Sequence, residues 1–318
     1  MQQALPSYVD DFLIYMESIS GKSLNTIKEY RYDLSMFFRF MSEKKGLEKP
    51  EDFTVSMLDD IKLTDLYSFL NYTNRERGDK AVTRARKVAC LRSFFKYCHS
   101  KANLISGNPA AELDSPKITK SLPRYLELDE CKALLNVIDG DHKERDYCMI
   151  ILFLNCGMRL SELVGINVGD ISGDSLVVMG KVNKERTVYL NESCKEAINN
   201  YLAVRPKAEG PNANALFLSN RRQRISSKTV QYTVKKYIKA AGLDASKYST
   251  HKLRHTAATL MYSYGDVDIR ALQEILGHTS VATTEIYTHV KNARIKEAVA
   301  KNPLADFKPD TKENEDND

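Results

Sequence analysis

The sequence predicts a mainly α-helical chain in two units, with a small antiparallel sheet in the second, an α+β class. Three observations predict it. Apolar residues recur at three- and four-residue spacing through much of the first hundred residues. A polar stretch punctuated by Pro109, Pro116 and Pro123 then stops the pattern. Beyond it helical spacing returns, interrupted by two short alternating runs between residues 175 and 190.

Taken in order, the first clear helix opens at Ser23. The stretch SLNTIKEYRYDLSMFFRFMSEK sets Leu24, Ile27, Tyr30, Leu34, Phe37, Phe38 and Met41 at helical spacing, with about 20 residues ahead of it. A second run carries Leu63, Leu66, Phe69 and Leu70. A third puts Val88, Leu91, Phe94, Phe95 and Cys98 on one stripe and Arg84, Arg86, Lys87 and Arg92 opposite. Those cations suit either a solvated face or contacts to phosphate. Prolines remove amide donors and favour extended backbone, so 109–123 reads as a linker between a domain at 1–108 and another at 124–307.

The second domain opens with a helix in LELDECKALLNVID. DYCMIILFLNCG is apolar nearly all round, which predicts a buried central helix stopped at Gly157. SLVVM (175–179) and RTVYL (186–190) alternate as strands, and the turn chemistry between them predicts a hairpin. Helices follow in SSKTVQYTVKKYIKAAG, in HKLRHTAATLMYSYG, and in DIRALQEILG, ATTEIYTHV and NARIKEAVAK. Residues 308–318 form an acidic tail expected to be disordered.

Composition narrows the function classes. The chain has 318 residues and a net charge of +5, with 42% hydrophobic and 28% charged residues. That length fits about two domains, and the balance excludes wholesale disorder. Charge is uneven: +1 over residues 1–116, +8 over 117–308 and −4 over the last ten. A basic second block favours an anionic partner. The longest apolar run, Cys148 to Leu154, is too short to span a bilayer, and the N-terminus does not read as a signal peptide. Six cysteines (90, 98, 131, 148, 156, 194) stand singly, which argues against a disulfide framework or zinc ribbon and suits the cytoplasm.

Four separated segments place polar residues where the local pattern does not require them: CGMRLSEL (Arg159, Glu162), GKVNKER (Lys181), HKLRHT (His251, Arg254) and GHTSVATTEIYTHV (His278, Tyr287). On these boxes the chain resembles the tyrosine recombinases, the integrase/Xer family of site-specific recombinases. The resemblance covers nearly the whole chain. His278 lies 24 residues after Arg254, and Tyr287 lies nine after His278. Each box alone is weak evidence; all of them in register are strong.

The chemistry explains the residue types. Two guanidiniums, Arg159 and Arg254, can fork onto the non-bridging oxygens of a phosphodiester and stabilise the extra charge of its transition state. Tyr287 is the candidate nucleophile among 17 tyrosines, set apart by its context after the Gly-His box. Lys181 on the hairpin tip suits a general acid for the leaving 5′-oxygen; Lys184 is its rival. The family has glycine directly after this lysine, whereas here Val182 follows, so the turn is expected to differ. His251 and Arg254 share one helix face. By resemblance His251 positions the phosphate and handles the tyrosine proton, and His278 adds a second hydrogen bond. His99, His142, His255 and His289 read as structural. Glu162 either orients a catalytic side chain or makes an ordinary ion pair along its helix. Lys228, Lys235, Lys236 and Lys239, with Arg221, Arg222 and Arg224, read as grips on backbone phosphates.

The resemblance implies a helical DNA-gripping domain and a catalytic domain that together clamp duplex DNA. It implies cutting and rejoining at paired sites by a tetramer of like or mixed protomers through a 3′-phosphotyrosine and a Holliday junction. No cofactor, metal or ATP is expected, because cations take the metal's place and the bond energy is kept. The short lead before Ser23 favours an Xer-type role in chromosome dimer resolution, at the nucleoid. A simple mobile-element integrase, a type IB topoisomerase-like relaxase and a non-catalytic DNA-binding regulator are the alternatives. The segment after Tyr287, with Ile295, Ala298, Val299 and Leu304, suits docking on a neighbouring protomer or packing within its own chain.

Overall fold

A computed structural model describes residues 4–118, 124–180, 185–208, 210–265 and 267–277. The chain divides into two compact units, Met1–Lys120 and Ser121–Asp318.

The first unit is all helix: α1 (Ser7–Ser18), α2 (Leu24–Lys45), α3 (Val55–Asp59), α4 (Leu63–Arg75) and α5 (Ala81–Ser100). Ser23 caps α2 by accepting the Thr26 amide, and Gly46 ends it in the left-handed region at φ 71°. The core is aromatic. Phe12, Phe37, Phe38, Phe53, Phe69, Phe94 and Phe95 are all but fully buried. Several of these rings meet edge-to-face, for example Phe37 and Phe69 at 5.2 Å. The helix α1 was not expected. Its buried residues Tyr8, Val9, Phe12, Leu13 and Met16 do recur at helical spacing, but Pro6 precedes it with no side-chain cap to announce the start. Within the stretch read as a linker, Ala110 and Leu113 pack into this unit's core. Residues 119–123 lie outside the described residues.

The cationic face of α5 is a correction. Lys87 is not solvated: its Nζ lies 2.9 Å from Asp33 Oδ1 and 3.5 Å from Asp79 Oδ2, and both Lys87 and Asp33 are about 2% exposed at the side chain. Arg86 pairs with Glu29 and Asp33, and Arg84 donates to Asn74 Oδ1 and the Asp79 carbonyl. Only Arg92 of the four is open to solvent in the manner expected of the whole face.

In the second unit, α6 (Leu128–Asn136), α7 (Lys143–Cys156) and α8 (Leu160–Gly165) lead into a three-stranded antiparallel sheet. Its strands are β1 (Ile171–Ser172), β2 (Ser175–Met179) and β3 (Glu185–Tyr189), in the order β1-β2-β3. The register pairs Leu176 with Val188 and Val178 with Arg186. Then follow α9 (Glu192–Val204), α10 (Ser227–Ala240), α11 (Thr250–Tyr264) and α12 (Ile269–Leu276). The strand β1 and the helix α9 were not anticipated, although Asn191 caps α9 by accepting the Cys194 amide.

The centre of this unit is α7, with every residue from Cys148 to Leu154 buried. It packs against α6, α9, α10 and α11. Its polar end is satisfied inside the fold: Arg145 donates to Asp146 and to the Leu218 carbonyl, and Tyr237 OH donates to Asp146 Oδ2. No described helix is long and apolar enough to cross a membrane. All six cysteines are buried free thiols.

Two basic groups separate here. On α10, Lys228, Lys235, Lys236 and Lys239 are exposed, opposite buried Val230, Val234 and Ile238. Arg221 and Arg222 are also exposed, but Arg224 turns inward. It donates to the carbonyls of Val164 and Ile166 and to Asn167 Oδ1, so it ties a loop rather than facing solvent.

Candidate active site: three arginines on one buried glutamate

The site is built where α7 stops, α8 starts and α12 ends. Gly157 ends α7 at φ 58°, and a Cβ there would meet Leu276 Cδ2 at 2.8 Å. Glycine is required both by the left-handed backbone and by the close approach of α12. Two residues on, Arg159 is the N-cap of α8, and Glu162 in the first turn reaches back to its amide at 2.7 Å. That bond from the N-cap amide fixes Glu162, which is 2% exposed.

Glu162 gathers cations from three elements. Arg159 Nη1 donates to Oε1 at 2.7 Å. Arg186, on β3, donates through Nε to Oε1 at 3.3 Å and through Nη2 to Oε2 at 2.8 Å. Arg254 Nη1, from α11, stands 3.9 Å from Oε2. Burial works to raise the carboxyl. The bonds and charge of Arg186, then the amide and guanidinium of Arg159, override it and hold the group below the usual carboxylate range. Glu162 is therefore ionised at neutral pH.

The same three arginines also hold the end of α12. Arg186 Nη1 donates to the Ile275 carbonyl at 2.7 Å, Arg254 Nη2 to Leu276 at 2.6 Å and Arg159 Nη2 to Gly277 at 2.8 Å. A helix leaves its last carbonyls without partners and carries partial negative charge there, so three guanidiniums satisfy both needs. Gly277 ends α12 at φ 61°, and a Cβ on it would meet Arg186 Cδ at 2.8 Å. Arg254 further donates through Nη1 to the Gly157 carbonyl at 2.7 Å.

Exposure grades the trio. The Arg159 side chain is 31% exposed, Arg186 13% and Arg254 4%. Arg159 is the open member and Arg254 the pin through the base of the site. His251 sits one turn before Arg254 on α11, at the solvent edge, with its Nε2 3.1 Å from Nε2 of His255. Lost hydration, then the positive charges of Arg254, Lys252 and Arg159, push its imidazole below the ordinary histidine value. A neutral ring at neutral pH is able to accept a proton.

The structure thus brings together Arg159, Arg254 and Glu162, with His251 close enough to feel both arginines. Lys181, Lys184, His278, Tyr287 and His289 lie outside the described residues. Arg186 was not anticipated as a site residue. The signal was its place in an alternating strand: Arg186, Val188 and Leu190 share the face that turns inward, and an arginine on that face needs a buried partner. Among the described residues no group of three or more His, Cys, Asp or Glu is arranged to hold a metal ion.

Known proteins resemble this chain along most of its length. The phage integrase family model matches residues 124–294, and that of the phage integrase N-terminal SAM-like domain matches 9–101. A tyrosine recombinase XerC of Caldanaerobacter subterraneus subsp. tengcongensis is 53% identical over 309 residues, 94% of this chain and 88% of its own. A tyrosine recombinase XerD of Proteus mirabilis is 36% identical, over 91% of this chain and 90% of its own. The structure of XerA recombinase covers 92% of this chain and 97% of its own at 31% identity, with a TM-score of 0.50. That of XerH bound to a difH substrate reaches a TM-score of 0.71 over 95% and 99% of the two chains, a likeness of fold at 23% identity. With both units matched by family models and a relative identical at more than half of the aligned positions, the chain belongs to the phage integrase family, as one of its Xer-type tyrosine recombinases.

Proposed function

We propose that this site cleaves and rejoins one DNA strand at a time, with Arg159 and Arg254 on the scissile phosphate and Tyr287 as the nucleophile. The supporting observation is the convergence of two guanidiniums, from α8 and α11, on one buried carboxylate beside a histidine of lowered pKa. The tyrosyl oxygen forms a bond to phosphorus and the bond to the 5′-oxygen breaks. The phenol proton passes to His251, and the departing 5′-oxygen takes a proton from Lys181. The products are a 3′-phosphotyrosine and a 5′-hydroxyl, and His278 adds a hydrogen bond to the phosphate. Positive charge held in advance stabilises the phosphorane, which is the role a metal ion plays elsewhere. The reaction is a transesterification, so no ATP is consumed.

In this reading both units contact the duplex. The exposed lysines of α10 make sequence-independent phosphate contacts. In this reading the protein acts at paired recombination sites as a four-protomer assembly and resolves chromosome dimers in the cytoplasm, at the nucleoid. A solved relative, lambda integrase, is described as a tetramer on a Holliday junction.

A nicked suicide substrate tests the chemistry. The wild type is expected to trap a covalent adduct that peptide mapping places on Tyr287, with the same yield in EDTA, and Tyr287→Phe is expected to trap none. An adduct that survives Tyr287→Phe, or that needs added divalent cation, refutes the reading.

A further inference from the structure

The Glu162 carboxylate is saturated. Its Oε1 accepts from Arg159 Nη1 and Arg186 Nε, and its Oε2 from the Arg159 amide and Arg186 Nη2. Four donors match the roughly four lone-pair sites of a carboxylate. Two of them come from Arg186 in a forked pair, the strongest geometry available to these groups. The remaining fork of Arg186 goes to the Ile275 carbonyl, and its side chain is only 13% exposed. Arg186 is thus committed to the protein, whereas Arg159 beside it is 31% exposed.

Charge gives this arrangement its meaning. Arg159 and Arg254 with Glu162 alone would present a net charge of +1, and the carboxylate would compete with any phosphate for their N–H groups. With Arg186 included, three guanidiniums face one carboxylate and the net charge is +2. A phosphodiester carries one negative charge and the phosphorane formed by an incoming oxyanion carries two. The cluster therefore matches the transition state in charge, the condition for rate rather than for binding alone.

We propose that Arg186 is a positioning residue of the cleavage site, which occupies Glu162 so that Arg159 and Arg254 keep both their geometry and a net charge of +2 for the reacting phosphate. This rests on the reading that those two arginines hold the phosphate. Arg186 itself touches no substrate. It acts through the carboxylate it shares with Arg159 and through the α12 carbonyl adjacent to the one Arg254 holds.

The test is a charge-rescue cycle on full-length protein, read by single-turnover cleavage of the suicide substrate and by DNA mobility shift. Arg186→Gln is expected to slow cleavage about 100-fold, as loss of one preorganised charge does, with DNA affinity within threefold of wild type. Adding Glu162→Gln restores the net charge to +2 and is expected to recover at least tenfold of the loss. A purely structural role would make the double variant no faster than the single one. Arg186→Lys keeps the charge and is expected within tenfold of wild type; it carries the test if Arg186→Gln does not fold. Wild-type cleavage by Arg186→Gln, absence of rescue, or a 100-fold loss in Arg186→Lys overturns the proposal. The controls Tyr287→Phe and Arg159→Ala separate the two failures. If they abolish cleavage while Arg186→Gln does not, only the positioning role falls. If they cleave normally, the reading beneath it falls.

Discussion

Arg254→Ala is expected to lower single-turnover cleavage by about 1,000-fold and to loosen the second unit as well. Loss of one charged donor aimed at developing charge costs on the order of 100- to 1,000-fold in rate. Arg254 stands at the upper end because it also donates to the Gly157 and Leu276 carbonyls, at 2.7 and 2.6 Å. An alanine leaves those buried acceptors without that donor, at about 1–3 kcal/mol each. Arg254→Lys retains one charge but not a fork that bridges α7 to α12, so its stability should recover only in part. Urea denaturation and suicide-substrate kinetics, measured on the same preparations, check both halves. Unchanged stability with lost cleavage would leave Arg254 a purely chemical role. Unchanged cleavage would remove it from the site.

Lys87→Met is expected to destabilise the first unit by about 3 kcal/mol, the lower end of what breaking a buried ion pair costs. The lower end applies because Arg86 still reaches Asp33 Oδ2 at 2.7 Å. Burial already raises the Asp33 carboxyl above the usual range, against the pull of Lys87 and Arg86. A raised folded pKa favours the protonated form, so the strain of ionised Asp33 is felt above the unfolded value and relieved as pH falls through the folded one. Without the ammonium the carboxyl rises further. The deficit of Lys87→Met should therefore be largest near pH 7 and shrink towards pH 4, and Asp33→Asn in the same chain should remove most of it. Thermal unfolding across that range is the measurement. A deficit independent of pH would mean that Lys87 contributes packing alone. DNA affinity, corrected for the folded fraction, is expected to stay within twofold of wild type.

How far the sequence discloses this molecule depends on whether its signals are local. The helices α2, α4, α5, α7, α10, α11 and α12 carry their own periodicity and stops, and Gly157 and Gly277 announce the ends at which the site is built. Arg159, Glu162 and Arg254 are legible because they fall in boxes of fixed spacing. Arg186 closes the GKVNKER segment, but nothing local singles it out there, and its meaning lies in a carboxylate 24 positions earlier. Lys87 and Arg224 misled for the same reason. A cation on a polar helix face or in a basic run reads as facing solvent or phosphate until its partner is known, and Asp33 and Val164 are 54 and 60 residues away. The short β1 and the helices α1 and α9 escaped because brief or weakly announced elements are fixed by what they pack on.

One consequence attaches to α7, the helix buried on every side. Amide protons exchange with solvent at a rate set by the opening of the structure around them, and a segment enclosed by four helices opens only when the whole unit does. Deuterium uptake between Cys148 and Leu154 should thus report the global unfolding of the second unit. Gly157 follows directly, and the three arginines fasten the end of α12 beside it. The floor of the candidate site is anchored to the slowest-exchanging part of its unit, so its geometry should persist until that unit melts as a whole.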